Sequence, residues 1–393
     1  MISLLLAVIY LAFISLGLPD AILGSAWPNM YRSLNSTITG AGSIFLIISV
    51  CTIISSLNAD RVIHKFSTAR VTAVSVGVTA LSLFGFSFCQ EYWQLCLWAI
   101  PYGLGAGAVD SALNNYVALH FSSKHLSWLH CMWGVGASIG PYIMGMILSS
   151  GYDWPVGYRI IGIIQVILTT IIFISLPLWT AKDQGMKLEY NSDILSISQA
   201  LKLQGAPQIL LCFFGYCALE QTTGLWAASW LNVVKDIPAE TATSFASIFY
   251  IGITGGRAIS GFIAERLEDK NMIRLGFIVI FIGLILLTFS FHYTIALIGL
   301  ATIGLGCAPI YPSIIHSTPE RFGRKNSQSL IGIQMASAYI GSAFMPKLFG
   351  ILSDVTNISI YPFYLLFFLF LMFIMHEWAE NNKITSTEET VYR

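Results

Sequence analysis

Three carboxylates, Asp20, Asp110 and Glu220, lie well inside long apolar stretches of this 393-residue chain. A charged side chain at the centre of a bilayer costs about 2.5–3.5 kcal/mol on insertion scales, so such residues are rare and mark functional sites. A carboxyl group in a low dielectric favours its neutral form, and it can then load and release a proton. With carbonyl oxygens nearby it could instead bind Na⁺, and hydrogen bonding between helices is the structural alternative. We predict that at least one of the three is an ion-coupling site.

The composition indicates where these carboxylates lie. The chain is 55% hydrophobic and 10% charged, whereas soluble domains carry about 25% charged residues. We therefore expect an integral protein of the lipid bilayer. The formal net charge is zero, which gives no support for nucleic-acid binding. The seven cysteines lie in or at the ends of apolar runs without metal-ligand spacing, so we expect no disulfide framework and no metal site.

Twelve apolar segments are long enough to cross the bilayer, since about 20 residues span the hydrocarbon core as a helix. They lie at roughly 3–26, 38–57, 70–89, 93–119, 128–149, 157–179, 207–233, 241–263, 272–291, 293–316, 327–352 and 358–378. The predicted fold class is an all-α integral membrane protein of twelve transmembrane helices in two six-helix bundles. The predicted domains are an N-terminal bundle at 1–180, a cytoplasmic linker at 181–205, a C-terminal bundle at 206–380 and a cytoplasmic tail at 381–393.

The distribution of basic residues predicts the orientation of these segments. Loops after even-numbered segments, together with the carboxyl tail, hold 15 of the 20 lysines and arginines. Because short cytoplasmic loops carry the excess of Lys and Arg, both termini are expected in the cytoplasm. The first segment lacks a basic n-region and an Ala-x-Ala cleavage site, so we expect a retained span. We predict a multi-pass protein of a bacterial inner membrane.

The two halves of the chain repeat each other. A Gly-x4-Pro-x3-Gly pattern begins at Gly136 in segment five and returns at Gly341 in segment eleven, 205 residues later. The acidic-Arg pair at Asp60, after segment two, returns at Glu265 with the same displacement. Corresponding segments run in the same direction, so these are parallel repeats related by an axis along the membrane normal.

Several motifs resemble those of the major facilitator superfamily. The loop Asn58–Lys65 is similar to its Gly-x-x-x-Asp-Arg-x-Gly-Arg-Lys motif, and the glycines of segment five are similar to its Gly-rich pattern. Within the superfamily, the stretch 18–24 resembles the Asn-Asp-x-Leu segment of the fucose:proton symporter family. The stretch 110–117, Asp-Ser-Ala-Leu-Asn-Asn-Tyr-Val, resembles the Glu-Thr-Ala-x-Asn-Pro-Tyr-Val motif of that family.

This resemblance implies a sugar transporter with alternating access and a substrate bound between the bundles near the membrane midplane. By position, the proton-linked or substrate-linked carboxylates of the family correspond to Asp20 and Asp110.

The sequence departs from the family pattern at two positions that matter for the substrate and the ion. Asp110 is one methylene shorter than the Glu of the family, and Trp133 stands where fucose permease has a substrate-binding Asn. The second departure argues against fucose itself.

Sugar recognition requires polar groups that bind hydroxyls and an apolar platform for the ring. Trp and Tyr in membrane proteins otherwise form interfacial belts, and a histidine at this depth can simply be packed. The predicted substrate-binding residues are Asn114, Asn115, Gln221, Gln334, His130, Trp133, Trp226, Tyr250 and Tyr311. A second predicted set, of charged residues at the cytoplasmic ends of the segments, forms a gate. Its members are Arg257, Asp60, Arg61, Glu265 and Arg266.

These observations favour a monomeric secondary transporter that imports a small sugar with H⁺ or Na⁺. A proton-driven exporter of drugs, sugars or a siderophore is the alternative, since it also needs a membrane carboxylate. A non-transporting sensor on the same fold would lack coupling. We find no Walker loop, nucleophile triad or metal cluster, and we therefore expect neither ATP-driven transport, nor an enzyme, nor a cofactor.

Overall fold

A computed structural model describes residues 2–20, 22–36, 40–183, 195–237 and 239–381. Helices account for nearly all of these residues, and the described part of the chain contains no strand. The prediction of an all-helical fold is therefore confirmed. Much of the predicted linker and almost all of the predicted tail lie outside the described residues.

Fifteen α-helices and one 3₁₀ turn make up the described chain. In chain order they are α1 (Ile2–Asp20), α2 (Ile22–Ser33), α3 (Gly40–Phe66), α4 (Thr68–Ser87), α5 (Tyr92–His120), α6 (Ser123–Ser149), α7 (Trp154–Asp183), α8 (Ile197–Ala200), α9 (Ala206–Lys235), α10 (Ala239–Ile263), α11 (Asp269–Thr288), α12 (Tyr293–Cys307), α13 (Ile310–Phe322), α14 (Ser327–Val355), the 3₁₀ turn Ile358–Ile360 and α15 (Tyr361–Asn381).

Nine helical stretches of the described chain are long and apolar enough to cross a membrane, by length and composition. One of them combines α1 with α2, on either side of residue 21, which lies outside the described residues, and another combines α12 with α13. Three further helices, α5, α9 and α10, contain 29, 30 and 25 residues. They carry Asp110, Glu220 and Arg257 respectively. The twelve predicted segments thus correspond to twelve long helical stretches of the described chain. The three helices that carry Asp110, Glu220 and Arg257 are among the less apolar of these stretches.

Asp20 follows Pro19 in the first membrane-crossing stretch. Helices α1 and α2 both belong to this stretch, and Pro19 lies in the last described turn of α1. A proline in a helix has no N–H to donate, so it removes one hydrogen bond of the backbone ladder. Asp20 therefore lies next to a proline within a membrane-crossing stretch.

The described chain packs as two compact units. The first unit comprises the residues up to 194 together with Arg257–Leu267, and the second comprises 195–256 and the residues from 268 onward. Helix α10 is therefore divided, with its carboxyl-terminal end in the first unit.

Equivalent helix crossings organise both units. In the first unit α1 packs on α6, and in the second α9 packs on α14. A Cβ at Gly136 of α6 would overlap the Ile14 carbonyl oxygen of α1, and one at Gly341 of α14 would lie 2.5 Å from the Phe214 carbonyl oxygen of α9. Small residues let helix backbones approach closely in membranes. The repeat seen in the sequence is therefore a repeat of backbone contacts.

A second pair of crossings follows the same rule. A Cβ at Gly103 of α5 would lie 2.5 Å from the carbonyl oxygen of Ile48 on α3. At Gly304 of α12, 201 residues later and also in a Gly-Leu-Gly sequence, a Cβ would overlap the carbonyl oxygen of Phe249 on α10. These contacts hold α5 close to α3, and α5 is the helix that carries Asp110 in the first unit.

Candidate functional site

The carboxylate of Asp20 is held by two hydrogen-bond donors from different helices. The Tyr102 hydroxyl of α5 donates to Oδ1 and the Trp133 indole Nε1 of α6 donates to Oδ2, each over 2.9 Å. Asp20 is nevertheless exposed on the surface of its unit. The close crossing of α1 and α6 places Trp133 beside Asp20. A carboxylate with both oxygens bonded and one side open can accept further hydrogen bonds from a ligand.

Asp110 belongs to a buried hydrogen-bonded chain. The Asn114 side-chain amide, one turn later on α5, donates to Asp110 Oδ1 over 2.8 Å, and the Asn114 oxygen lies 3.0 Å from Nε2 of His130 on α6. Asp110 is 5% exposed and Asn114 is fully buried. An amide oxygen only accepts hydrogen bonds, so His130 Nε2 carries the hydrogen. The structure thus brings three of the predicted residues into one chain.

Trp133 connects Asp20 to Arg257. While its indole N–H donates to Asp20, the Arg257 guanidinium carbon lies 5.8 Å from the Trp133 ring centroid. Arg257 is 4% exposed, on the part of α10 that belongs to the first unit. A guanidinium over an indole face is a favourable cation–π contact. Arg257 therefore occupies a face of Trp133, the ring that was predicted to receive a sugar.

The end of α10 contacts the start of α6 through Lys124. Its Nζ lies 2.7 Å from Glu265 Oε1 and 4.6 Å from the Trp128 ring centroid. Gly261 and Phe262 pack against the same indole. The Lys124 ammonium holds the pKa of Glu265 below its usual range. The attraction therefore acts at neutral pH and is lost in acid as Glu265 becomes protonated. Because Glu265 is exposed, this ion pair contributes little to stability.

The other predicted gate residues are not part of this contact. Arg61 is exposed and donates to Asn58 in its own helix over 3.5 Å. Asp60 is half-buried on the same helix, and Arg266 is exposed next to Glu265. Among the described residues, the structure joins Glu265 to Lys124, a partner that we did not predict.

In the second unit, Glu220 and Gln221 lie side by side on α9. Glu220 is buried and Gln221 is half-buried. The Tyr250 hydroxyl of α10 packs against α9 where Gly224 leaves room for it, and it lies close enough to Glu220 to interact electrostatically. Trp226 donates to the Pro346 carbonyl oxygen over 2.9 Å. The structure thus brings Glu220 and Tyr250 together, and it places Trp226 against α14.

The remaining candidates of the second unit form two further pairs. The Tyr311 hydroxyl contacts Met335 Sδ at 3.1 Å, and its ring packs on Phe213 at 4.7 Å between centroids. Gln334 is buried and bonded to the Thr318 hydroxyl over 3.0 Å. Tyr311 keeps a half-buried face, whereas the amide of Gln334 is engaged within the protein.

Asn115 is buried on α5 beside Asn114. The most informative residue missed in the sequence is Tyr102, whose hydroxyl contacts Asp20 from 82 positions along the chain. No motif or spacing relates a tyrosine of one segment to an aspartate of another.

Twelve long helical stretches and repeated close helix crossings define an all-helical protein of the membrane-spanning type. The chain belongs to the Major Facilitator Superfamily, whose family model matches residues 9–346.

Known relatives cover most of the chain. Bypass of stop codon protein 6 of Saccharomyces cerevisiae is 22% identical over 93% of this chain and 80% of its own length. The glucose/mannose transporter GlcP of Bacillus subtilis is 22% identical over 87% of this chain and 86% of its own length. Among solved structures, the E. coli fucose:proton symporter FucP has a TM-score of 0.78 at 16% identity, covering 96% of this chain and 98% of that one. At this identity the structural likeness shows a shared fold.

Proposed function

We propose that this transporter imports a small sugar together with H⁺, or with Na⁺ in its place, by alternating access. It works as a monomer in a bacterial inner membrane, with both termini in the cytoplasm. The observation that carries the proposal is the Asp20 site, an open carboxylate bonded to a tyrosine hydroxyl and an indole N–H.

The chemistry of this site suits a polyhydroxylated ligand. The free lone pairs of a carboxylate accept hydrogen bonds from hydroxyl groups, and an aromatic side chain next to it offers an apolar contact for a ring. A sugar presents both kinds of surface. GlcP is a glucose/mannose transporter and FucP is a fucose:proton symporter, and both support the same substrate class.

The buried chain from Asp110 to His130 suits ion coupling. Neutralising Asp110 with a proton changes the charge of a group that Asn114 contacts directly. Asn114 also contacts His130, so a change at Asp110 reaches α6 through a single side chain. A conformational equilibrium shifts only if the ion binds one state better than the other, and a charge change at this depth provides that difference.

The test is sugar counterflow in proteoliposomes that contain the purified protein. Vesicles loaded with an unlabelled sugar should take up the same labelled sugar transiently, for at least one hexose or pentose of a panel. A pH gradient or a Na⁺ gradient imposed separately should drive accumulation and identify the coupling ion. Extrusion of lipophilic cations or siderophores with no sugar counterflow would refute the proposal in favour of the exporter.

Substitution of Gln221 tests a predicted substrate contact of the second unit. Gln221→Ala should raise the KM of sugar uptake several-fold at unchanged expression, since a lost hydrogen bond to an uncharged partner is worth about 0.5–1.5 kcal/mol. Gln334→Ala is the variant for comparison, because the side-chain amide of Gln334 is already hydrogen-bonded to Thr318. An unchanged KM in Gln221→Ala would show that Gln221 has no substrate contact.

Cysteine labelling tests the orientation. In a background without the seven native cysteines, a cysteine at Glu91 should react with a membrane-impermeant maleimide added to intact cells. A cysteine at Lys65 should react only after the membrane is opened. Both positions are exposed and lie at opposite ends of neighbouring helices, so access to the reagent is matched. Labelling of the Lys65 position in intact cells would reverse the proposed orientation.

A further inference from the structure

The Tyr102 hydroxyl contacts Asp20 from inside an apolar core. Tyr102 is 4% exposed, and its ring packs on Phe86 with centroids 6.1 Å apart. Burying a hydroxyl without a hydrogen bond is costly, so a buried tyrosine directs its oxygen to a partner. Here the partner is Asp20 Oδ1 at 2.9 Å. The rigid ring thus presents its hydroxyl to the carboxylate at a fixed point.

The two hydrogen bonds to Asp20 differ in whether they allow a proton to bind the carboxylate oxygen that they contact. An indole N–H can only donate, so the bond from Trp133 requires Oδ2 to remain an acceptor. A phenol can donate or accept, so Oδ1 can accept from Tyr102 or carry a proton and donate to it. A proton on Oδ2 would compete with the Trp133 N–H. A proton on Oδ1 requires only that the Tyr102 hydroxyl hydrogen rotate away.

We propose that Tyr102 is a positioning residue that selects Oδ1 as the protonated oxygen of Asp20 and eases release of that proton. The inference extends the proposed function to Asp20, one of the three predicted coupling carboxylates. In the charged state Tyr102 donates to Oδ1 and Trp133 to Oδ2. When a proton from water binds Oδ1, that oxygen donates to the Tyr102 oxygen, and Trp133 keeps its bond. Release of the proton to water restores the first arrangement.

The titratable and charged groups around this site come from four helices. They are Tyr102 on α5, His130 on α6, Tyr158 on α7 behind Tyr102, and Arg257 on α10 behind the Trp133 ring. His130 is bonded to Asn114, and Arg257 stacks on the indole that intervenes before Asp20. Tyr102 is therefore the titratable group that meets the carboxylate directly within the described chain.

The inference is tested by pH-dependent difference infrared spectroscopy of the full-length protein in lipid vesicles. Asp20→Asn should remove one protonated-carboxyl band and thereby identify it. In Tyr102→Phe the midpoint of that band should lie about one pH unit higher, because the charged carboxylate has lost a hydrogen-bond donor. This shift corresponds to tenfold tighter binding of the proton. Fluorotyrosine incorporated at position 102, a stronger donor, should move the midpoint the opposite way.

Tyr158→Phe is the matched control, since Tyr158 is buried in the same core and packs on Phe86 at 5.6 Å. Its midpoint should equal that of the wild type. The inference is overturned if Tyr102→Phe titrates like the wild type, if Tyr158→Phe shifts as far, or if Asp20→Asn removes no band. Sugar counterflow is measured on the same vesicles. If it is absent while the band shifts as expected, the sugar proposal fails and the role of Tyr102 stands.

Discussion

Asp110→Asn should abolish accumulation of sugar against a gradient and leave exchange across the membrane intact. Asparagine reproduces the neutral form at nearly the same volume, and its oxygen can still accept the hydrogen bond that Asn114 donates at 2.8 Å. The buried chain therefore keeps its geometry. Exchange needs no net release of the ion, whereas accumulation does, so the accumulation ratio should fall to unity while the counterflow rate is retained.

The measurement is labelled-sugar uptake under an imposed pH or Na⁺ gradient, next to counterflow on the same vesicles. Asp20→Asn and Glu220→Gln are measured in parallel, because each removes one predicted coupling carboxylate at constant volume. If Asp110→Asn concentrates sugar as well as the wild type does, Asp110 is structural, and the variant that loses accumulation identifies the coupling site.

The second large effect is expected at the crossing of α1 and α6. A methyl group at Gly140 would overlap the Leu18 carbonyl oxygen. Gly140→Ala must therefore push α1 and α6 apart at a point close to Asp20. Overpacking of a close contact costs about 1–3 kcal/mol. The displacement should also lengthen the bond from Trp133 to Asp20. We expect a lower melting temperature of the purified protein and slower counterflow.

Gly145 on the same helix provides the control. A Cβ there meets nothing within 4 Å, and alanine favours a helix over glycine by about 0.5–1 kcal/mol. Gly145→Ala should therefore melt at the wild-type temperature or slightly above it. Equal melting temperatures for the two alanine variants would contradict the close contact at Gly140.

The helices were predictable from the sequence because a bilayer leaves the chain few choices. Every backbone polar group must be satisfied within the membrane, so an apolar segment of spanning length forms a helix. The glycine pattern that returns after 205 residues was also informative, since it reports where backbones touch. Asn114 lies beside Asp110 because residues four apart in the sequence share a helix face.

Contacts between helices could not be predicted in the same way. Trp133 reaches Asp20 from 113 positions away, and its N–H finds the carboxylate only because two glycine-lined helices cross there. The contact between Lys124 and Glu265 spans 141 positions. Such pairs depend on the rotation and depth of packed helices, which a single sequence does not report.

The paired glycine crossings have a consequence for how such a protein can evolve. After a gene duplication, each copy is held together internally by backbone contacts between its helices. Each copy therefore keeps its shape without contributions from the side chains that face inward. Gly103 and Gly304 are 201 residues apart, and the same offset relates Asp110 to Tyr311. Gly136 and Gly341 are 205 residues apart, and that offset relates His130 to Met335. One half holds an aspartate and a histidine at these positions, and the other holds a tyrosine bonded to a methionine. Selection for a new nutrient can therefore act on one copy while the other, and the scaffold of both, stays unchanged.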